Sequence, residues 1–136
     1  MYQGLAENVV FTTALAPDAV LPMVDPNDIG QFAAAAVLDP FRFNNQEIEI
    51  ASEFMGAEEI MRALSRATGK DFKAIFMSDE EIDKQRFINP FVAGQLMMRG
   101  MSSFVDLEKV KAWGLPLGTF DQFLVREKAR VNASYP

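Results

Sequence analysis

The apolar positions of this chain repeat with two periods, and the places where one gives way to the other mark out its elements. Residues 3–14 hold Leu5, Val9 and Phe11 without a clean repeat and read as a frayed helix or an irregular lead-in. Val20 to Val24 is a short apolar run between Pro17-Asp18 and Asp25-Pro26, the signature of a buried strand ending in a turn. Pro22 places that strand at an edge or near its own end. Asn27 or Asp28 then caps a helix whose Ile29, Phe32, Ala33, Ala36 and Val37 recur at helical spacing, and Asp39-Pro40 stops it. From Gln46 to Ala51 polar and apolar residues alternate, as in a strand with one buried face. Strand, helix and strand in that order suggest a parallel pair.

In the second half, Gly56 and Glu59 open the most regular helix, with Ala57, Ile60, Met61, Leu64 and Ala67 as its stripe and Gly69 at its end. Asp71 to Met77 reads as a strand. Ser78 and Glu81 form a capping box for a helix carrying Ile82, Phe87, Ile88 and Phe91, which Pro90 kinks or ends. A second apolar stretch runs from Val92 to Met101, Asp106 opens a short helix ending near Trp113-Gly114, and Thr119 with Gln122 makes another capping box. The pattern predicts one α/β domain over residues 1–130, with two or three strands and four or five helices, and a loose tail at 131–136. A parallel sheet this small leaves faces uncovered and edges open, so a second copy is expected to complete it as a homodimer.

Composition narrows the picture by exclusion. With 136 residues, 49% of them hydrophobic, the chain can bury a core without disulfides. It has no Cys and no His, which removes thiolate metal sites, the commonest metal ligand and the commonest general base, and no metal is expected. A net charge of -6 argues against a nucleic-acid partner, which needs a concentrated basic face. No apolar run is long enough to span a bilayer and no signal-type segment opens the chain, so a cytoplasmic location without membrane contact is expected.

Several residues have the chemistry of a site. Asp25 and Asp28 flank a strand-to-helix junction, where paired carboxylates support acid or base work or simply cap the helix. Lys84 and Arg86 beside Asp83 either steady a developing oxyanion or form a solvated helix face. Tyr2 is a candidate proton donor. Phe87, Phe91, Met97, Met98, Met101, Phe104 and Trp113 line a hydrophobic substrate cleft, pack in the core, or form a dimer seam.

The order of segments resembles the C-terminal half of NmrA-like proteins, atypical members of the short-chain dehydrogenase/reductase superfamily. The resemblance rests on Val24-Asp25-Pro26-Asn27-Asp28-Ile29-Gly30-Gln31 with its Ala-rich helix and Leu38-Asp39-Pro40. It continues through Glu47 to Ser52, Glu58-Glu59-Ile60, Ser65 to Lys70 and the closing Leu117 to Leu124, over roughly residues 4–125. It implies a partial Rossmann-type sheet. The family's nucleotide-binding half opens on a glycine-rich turn, and the glycines at 4, 30, 56, 69, 94, 100, 114 and 118 nowhere have that spacing. Neither Tyr2 nor Tyr135 has a Lys four residues on, so the superfamily's Tyr-Lys pair is missing as well. No dinucleotide cofactor is therefore expected.

Three functions are compatible with this resemblance. The first is a truncated protein that binds a small aromatic or polyketide-like molecule, as a cofactor-independent isomerase, cyclase or dehydratase if it is an enzyme. The second is the substrate-binding half of an NAD(P)-dependent reductase, inactive alone. The third is a regulatory interaction protein.

Overall fold

A computed structural model describes residues 5–135. It is an α/β structure whose described strands form two separate two-stranded sheets. A short helix, α1 (Leu5–Asn8), leads into β1 (Val10–Thr13), and β2 (Val20–Met23) follows after a turn. Then come α2 (Pro26–Leu38), the single turn α3 (Pro40–Phe43), β3 (Glu53–Gly56), α4 (Ala57–Thr68) and β4 (Lys73–Phe76). The remainder is helical: α5 (Asp79–Gln85), α6 (Pro90–Met98), a 3-10 turn at Met101–Phe104, α7 (Leu107–Lys111), α8 (Phe120–Arg126) and α9 (Lys128–Ser134).

Local chemistry accounts for most helix boundaries. In α4 the Glu59 carboxylate accepts from the Gly56 N–H at 2.8 Å, and Gly69 closes the helix in the left-handed region at φ 76°, where a side chain would be strained. Ser78 and Glu81 make the expected reciprocal box on α5, as do Thr119 and Gln122 on α8. The cap of α2 is Asp25, whose carboxylate accepts from the Asn27 N–H, and not Asn27 or Asp28. Pro26 occupies the first helical turn, where its missing N–H does no harm.

Strand pairing departs from the expected pattern. The parallel pair is β1 with β4, from Val10 opposite Lys73 to Thr13 opposite Phe76. By contrast β2 pairs antiparallel with β3, from Val20 opposite Gly56 to Met23 opposite Glu53. The alternating run at 46–51 is irregular, because β2 bonds to the residues just after it. Alternation marks a residue set fit for a strand, but only a backbone partner makes one. The four helical residues of α1 end where β1 begins, so the ambiguous lead-in contains both. Helix α9 continues to Ser134, through most of the tail expected to be loose, because Val131 and Tyr135 pack on the core.

That core lies between β1, α4 and α8. Leu5, Phe11, Leu15, Met61, Leu64, Phe72 and Leu124 are its largest buried members. A smaller cluster of Ala14, Ile82 and Val92 sits under α5 and α6. The chain keeps an accessible surface of 8793 Å². A compact protein of 15.2 kDa is expected to expose roughly 7,000 Å².

Candidate functional site

Two adjoining concavities lie where the ends of β2 and β3 meet α8. The smaller, about 270 Å³, is bounded by Met23 to Pro26, Ser52, Gly118 to Phe120 and Phe123. The larger, about 640 Å³, lies over the core, with Leu21, Ile60 and Leu64 on one side and Phe120, Phe123 and Val131 on the other. Met23, Pro26, Phe120 and Phe123 border both. The polar groups around the larger hollow come mainly from α9 and its ends: Glu127, Arg130, Ser134 and Tyr135. Its size and apolar lining, with a few polar groups at one end, are those of a small-molecule site.

Carboxylates hold the wall between them in place. Asp25, with its side chain 2% exposed, receives two hydrogen bonds from the Arg126 guanidinium, Nη1 to Oδ2 at 2.7 Å and Nη2 to Oδ1 at 2.8 Å. The Arg126 hydrogen bonds dominate its titration and hold the carboxyl below the usual carboxylate range, against the opposing effect of desolvation. Asp28 is buried, and both its oxygens lie 3.0 Å from the Gly118 nitrogen that donates to them. Glu53 accepts from the Phe120 N–H. A Cβ at Gly118 would lie 2.9 Å from Asp25 Oδ2, so the chain passes this carboxylate only because residue 118 has no side chain. Asp25 thus caps α2 and anchors α8 at the same time, and the Arg126 guanidinium also sits 5.4 Å from the Phe123 ring centre.

The other candidates lie on different parts of the molecule. Lys84 is exposed on α5 and pairs with Glu80 at 2.7 Å, while Arg86 pairs with Asp83 at 3.4 Å and covers the Phe87 ring. Tyr2 lies outside the described residues. Phe87, Phe91, Met97, Met101 and Phe104 are exposed on the surface formed by α6 and its flanks. Met98 packs against the core beside α4 and α8. Trp113 stacks on Phe43 with ring centres 4.5 Å apart, with the Arg42 guanidinium over it and Phe32 at its edge. The structure brings Asp25 and Asp28 together at one junction and does not join them to Lys84 or to the aromatic set.

Sequence reasoning named Asp25 and Asp28 but missed Arg126, Gly118 and Glu53, which complete the arrangement. Their separations of 101, 90 and 67 residues from their partners leave no local signal. The capping box at Thr119 was the one available hint that a helix would start beside them.

A dinucleotide would place its pyrophosphate at a helix N-terminus following a strand. After β2, that position on α2 carries Asp25 and Asp28; after β3, α4 carries Glu58 and Glu59; after β4, α5 carries Asp79, Glu80 and Glu81. Each carboxylate repels a diphosphate and already complements the helix dipole. The described junctions therefore do not fit the group. Among the described residues no cluster of three or more Asp or Glu could hold a metal ion, and no helix is long and apolar enough to cross a membrane.

The fold is a small α/β scaffold with an apolar hollow where the ends of its strands meet α8. A model of the NmrA-like family matches residues 3–118, and the chain belongs to that family. Comparison with curated proteins finds no match.

Proposed function

We propose that this chain is a small-molecule-binding NmrA-like protein whose ligand occupies the larger hollow. The observation that carries the reading is the 640 Å³ space itself, apolar over β2, α4 and α8 and polar only toward Glu127, Arg130, Ser134 and Tyr135. Such a distribution favours a flat aromatic or polyketide-like molecule with one polar end. Binding is the primary role in this reading, because Asp25 and Asp28 are already committed to Arg126 and Gly118. Isomerase, cyclase or dehydratase chemistry would need one of these carboxylates, Lys84 or Tyr2 to move a proton at the ligand.

Titration with an anilinonaphthalene dye, followed by fluorescence and by thermal shift, tests the reading. One saturable site is expected, weakened about tenfold or more when Ile60→Trp fills the hollow. Absence of saturable binding, or binding indifferent to Ile60→Trp in a variant with unchanged circular dichroism, overturns it.

A second reading, the substrate-binding half of an NAD(P)-dependent reductase, draws on the β1–β4 pair. Parallel strands are ordinarily found inside larger sheets covered on both faces, and here each has a single neighbour. That reading expects no NADP binding by this chain alone and hydride transfer once a nucleotide-binding half is supplied. Tight stoichiometric NADP binding by the isolated chain contradicts both readings.

A further inference from the structure

The polar end of the larger hollow is made of four side chains, and three of them are already engaged. Glu127 accepts through Oε1 from Arg126 Nε at 3.2 Å and through Oε2 from Arg130 Nη1 at 3.4 Å. Ser134 Oγ donates its one hydrogen to the Arg130 carbonyl at 3.0 Å. Tyr135 differs. Its phenol has no hydrogen bond to any described residue, and because no buried side-chain oxygen among the described residues lacks a partner, this hydroxyl is open to solvent. The ring itself is held. It packs on the core and meets the Phe72 ring edge-on with centres 5.1 Å apart, while the Tyr135 backbone N–H donates to the Val131 carbonyl at 3.2 Å. A half-buried phenol fixed through its ring normally has a partner for its hydroxyl, and here a ligand can supply one.

We propose that the Tyr135 hydroxyl donates to the carbonyl oxygen of an uncharged aromatic ketone seated in the larger hollow, an assignment that rests on that hollow being the ligand site.

Three observations select this chemistry. The first is charge: Glu127 and Arg130 are the charged residues on the lining and pair with each other, and the chain as a whole carries -6. No surplus cation is left there for a carboxylate. The second is the supply of hydrogens. The Glu127 carboxylate is occupied by two guanidinium groups, whereas the Tyr135 O–H and most of the five Arg130 N–H groups are left to donate. A ligand hydroxyl would bring one more donor to an end already rich in them, and a carbonyl brings acceptors alone. The third is shape. The Phe120 and Phe123 rings on the apolar part of the lining lie within 9° of parallel, with centres 6.2 Å apart, and offer flat faces to an aromatic ring.

Equilibrium dialysis of the whole chain with three naphthalenes of matched size tests the proposal: 2-acetylnaphthalene, 2-isopropylnaphthalene, which replaces the carbonyl by a methyl-bearing carbon, and 2-naphthoate. Wild type is expected to bind the ketone most tightly. Tyr135→Phe keeps the ring against Phe72 and removes only the hydroxyl, so it should weaken the ketone by about three- to tenfold and leave the hydrocarbon unchanged. Structural damage would fall on both probes alike. The infrared carbonyl band of the bound ketone should also move to higher frequency in Tyr135→Phe, as it does when a hydrogen-bond donor is lost. Ile60→Trp, which fills the hollow, should weaken all three probes. If none of them binds saturably, or Ile60→Trp changes none, the hollow is no ligand site and the assignment falls with it. If Ile60→Trp acts as expected but Tyr135→Phe shifts ketone and hydrocarbon equally, leaves the ketone unaffected or leaves its carbonyl band in place, the hollow stands and the role of Tyr135 is overturned. A naphthoate that outbinds the ketone likewise overturns the uncharged class alone.

Discussion

Helices α6 and α8 are anchored by the same device and differ in what they turn outward. At the C-terminal end of each, an arginine grips the chain just beyond a strand: Arg99 holds the Ala14 carbonyl after β1, and Arg126 holds the Asp25 carboxylate after β2. Around α8 the exposed polar groups find partners as well, since Asp121 pairs with Arg66 at 2.9 Å and Glu127 with Arg126 at 3.2 Å. The outward positions of α6 include Gly94 and the exposed Met97 in place of charged side chains. A helix finished on both faces belongs to the monomer's own architecture. Helix α6 is anchored as firmly through its inner face, by Gln95 and Arg99.

The contrast can be broken first at the core side of α8. Leu124 is 2% exposed, and Leu124→Ala should cost about 3 kcal/mol of stability in urea denaturation, as truncated buried leucines do. A loss below 1 kcal/mol would show that α8 is held by its polar contacts alone. Gly118→Ala comes next, at about 1–3 kcal/mol, because the new Cβ meets Asp25 Oδ2 at 2.9 Å. Differential scanning calorimetry should show Gly118→Ala relieved in part by Asp25→Ala, which removes the clashing atom.

Acid titration sharpens the comparison further. The folded-state pKa of Asp25 is lowered, so its contribution is present at neutral pH. It is lost as the pH falls below the ordinary carboxylate value of about 4 toward the lower folded value. Melting temperatures recorded between neutral and acid pH should converge for wild type and Asp25→Asn at the acid end. A constant gap at every pH would mean that the charge on Asp25 contributes nothing. The smallest effect belongs to the outer face of α6, where Met97→Ser, at a side chain 83% exposed, should leave the stability within about 0.5 kcal/mol of wild type. A larger loss would mean that Met97 packs within the chain.

What could be read from the sequence divides along a similar line. The helix boundaries at Gly56, Gly69, Ser78 and Thr119 were legible because each is set by residues three or four positions apart. Strand β1 was not, since its partner Lys73–Phe76 lies some sixty residues on and its own apolar positions follow no clean period. The run at 46–51 had the right period and lacked a partner. At the site, Asp25 was visible as a cap, and capping is one of its two tasks; the other depends on Arg126, which sequence spacing cannot place. The aromatic and methionine residues from Phe87 to Trp113 were visible as a set, but the fold divided them: Met98 went inward and Trp113 joined Phe43.

The family match ends at residue 118, the glycine beside Asp25, and α8 and α9 begin just after it. Half of the side chains around the larger hollow come from that last stretch, Phe120 to Tyr135. The floor of the cavity therefore lies within the matched stretch, whereas its roof lies beyond it, held by Leu124 in the core and by Arg126 on Asp25. Side chains of α8 and α9 that face the hollow, such as Phe123 and Arg130, are therefore the places where its shape can change while β2 and β3 keep their pairing.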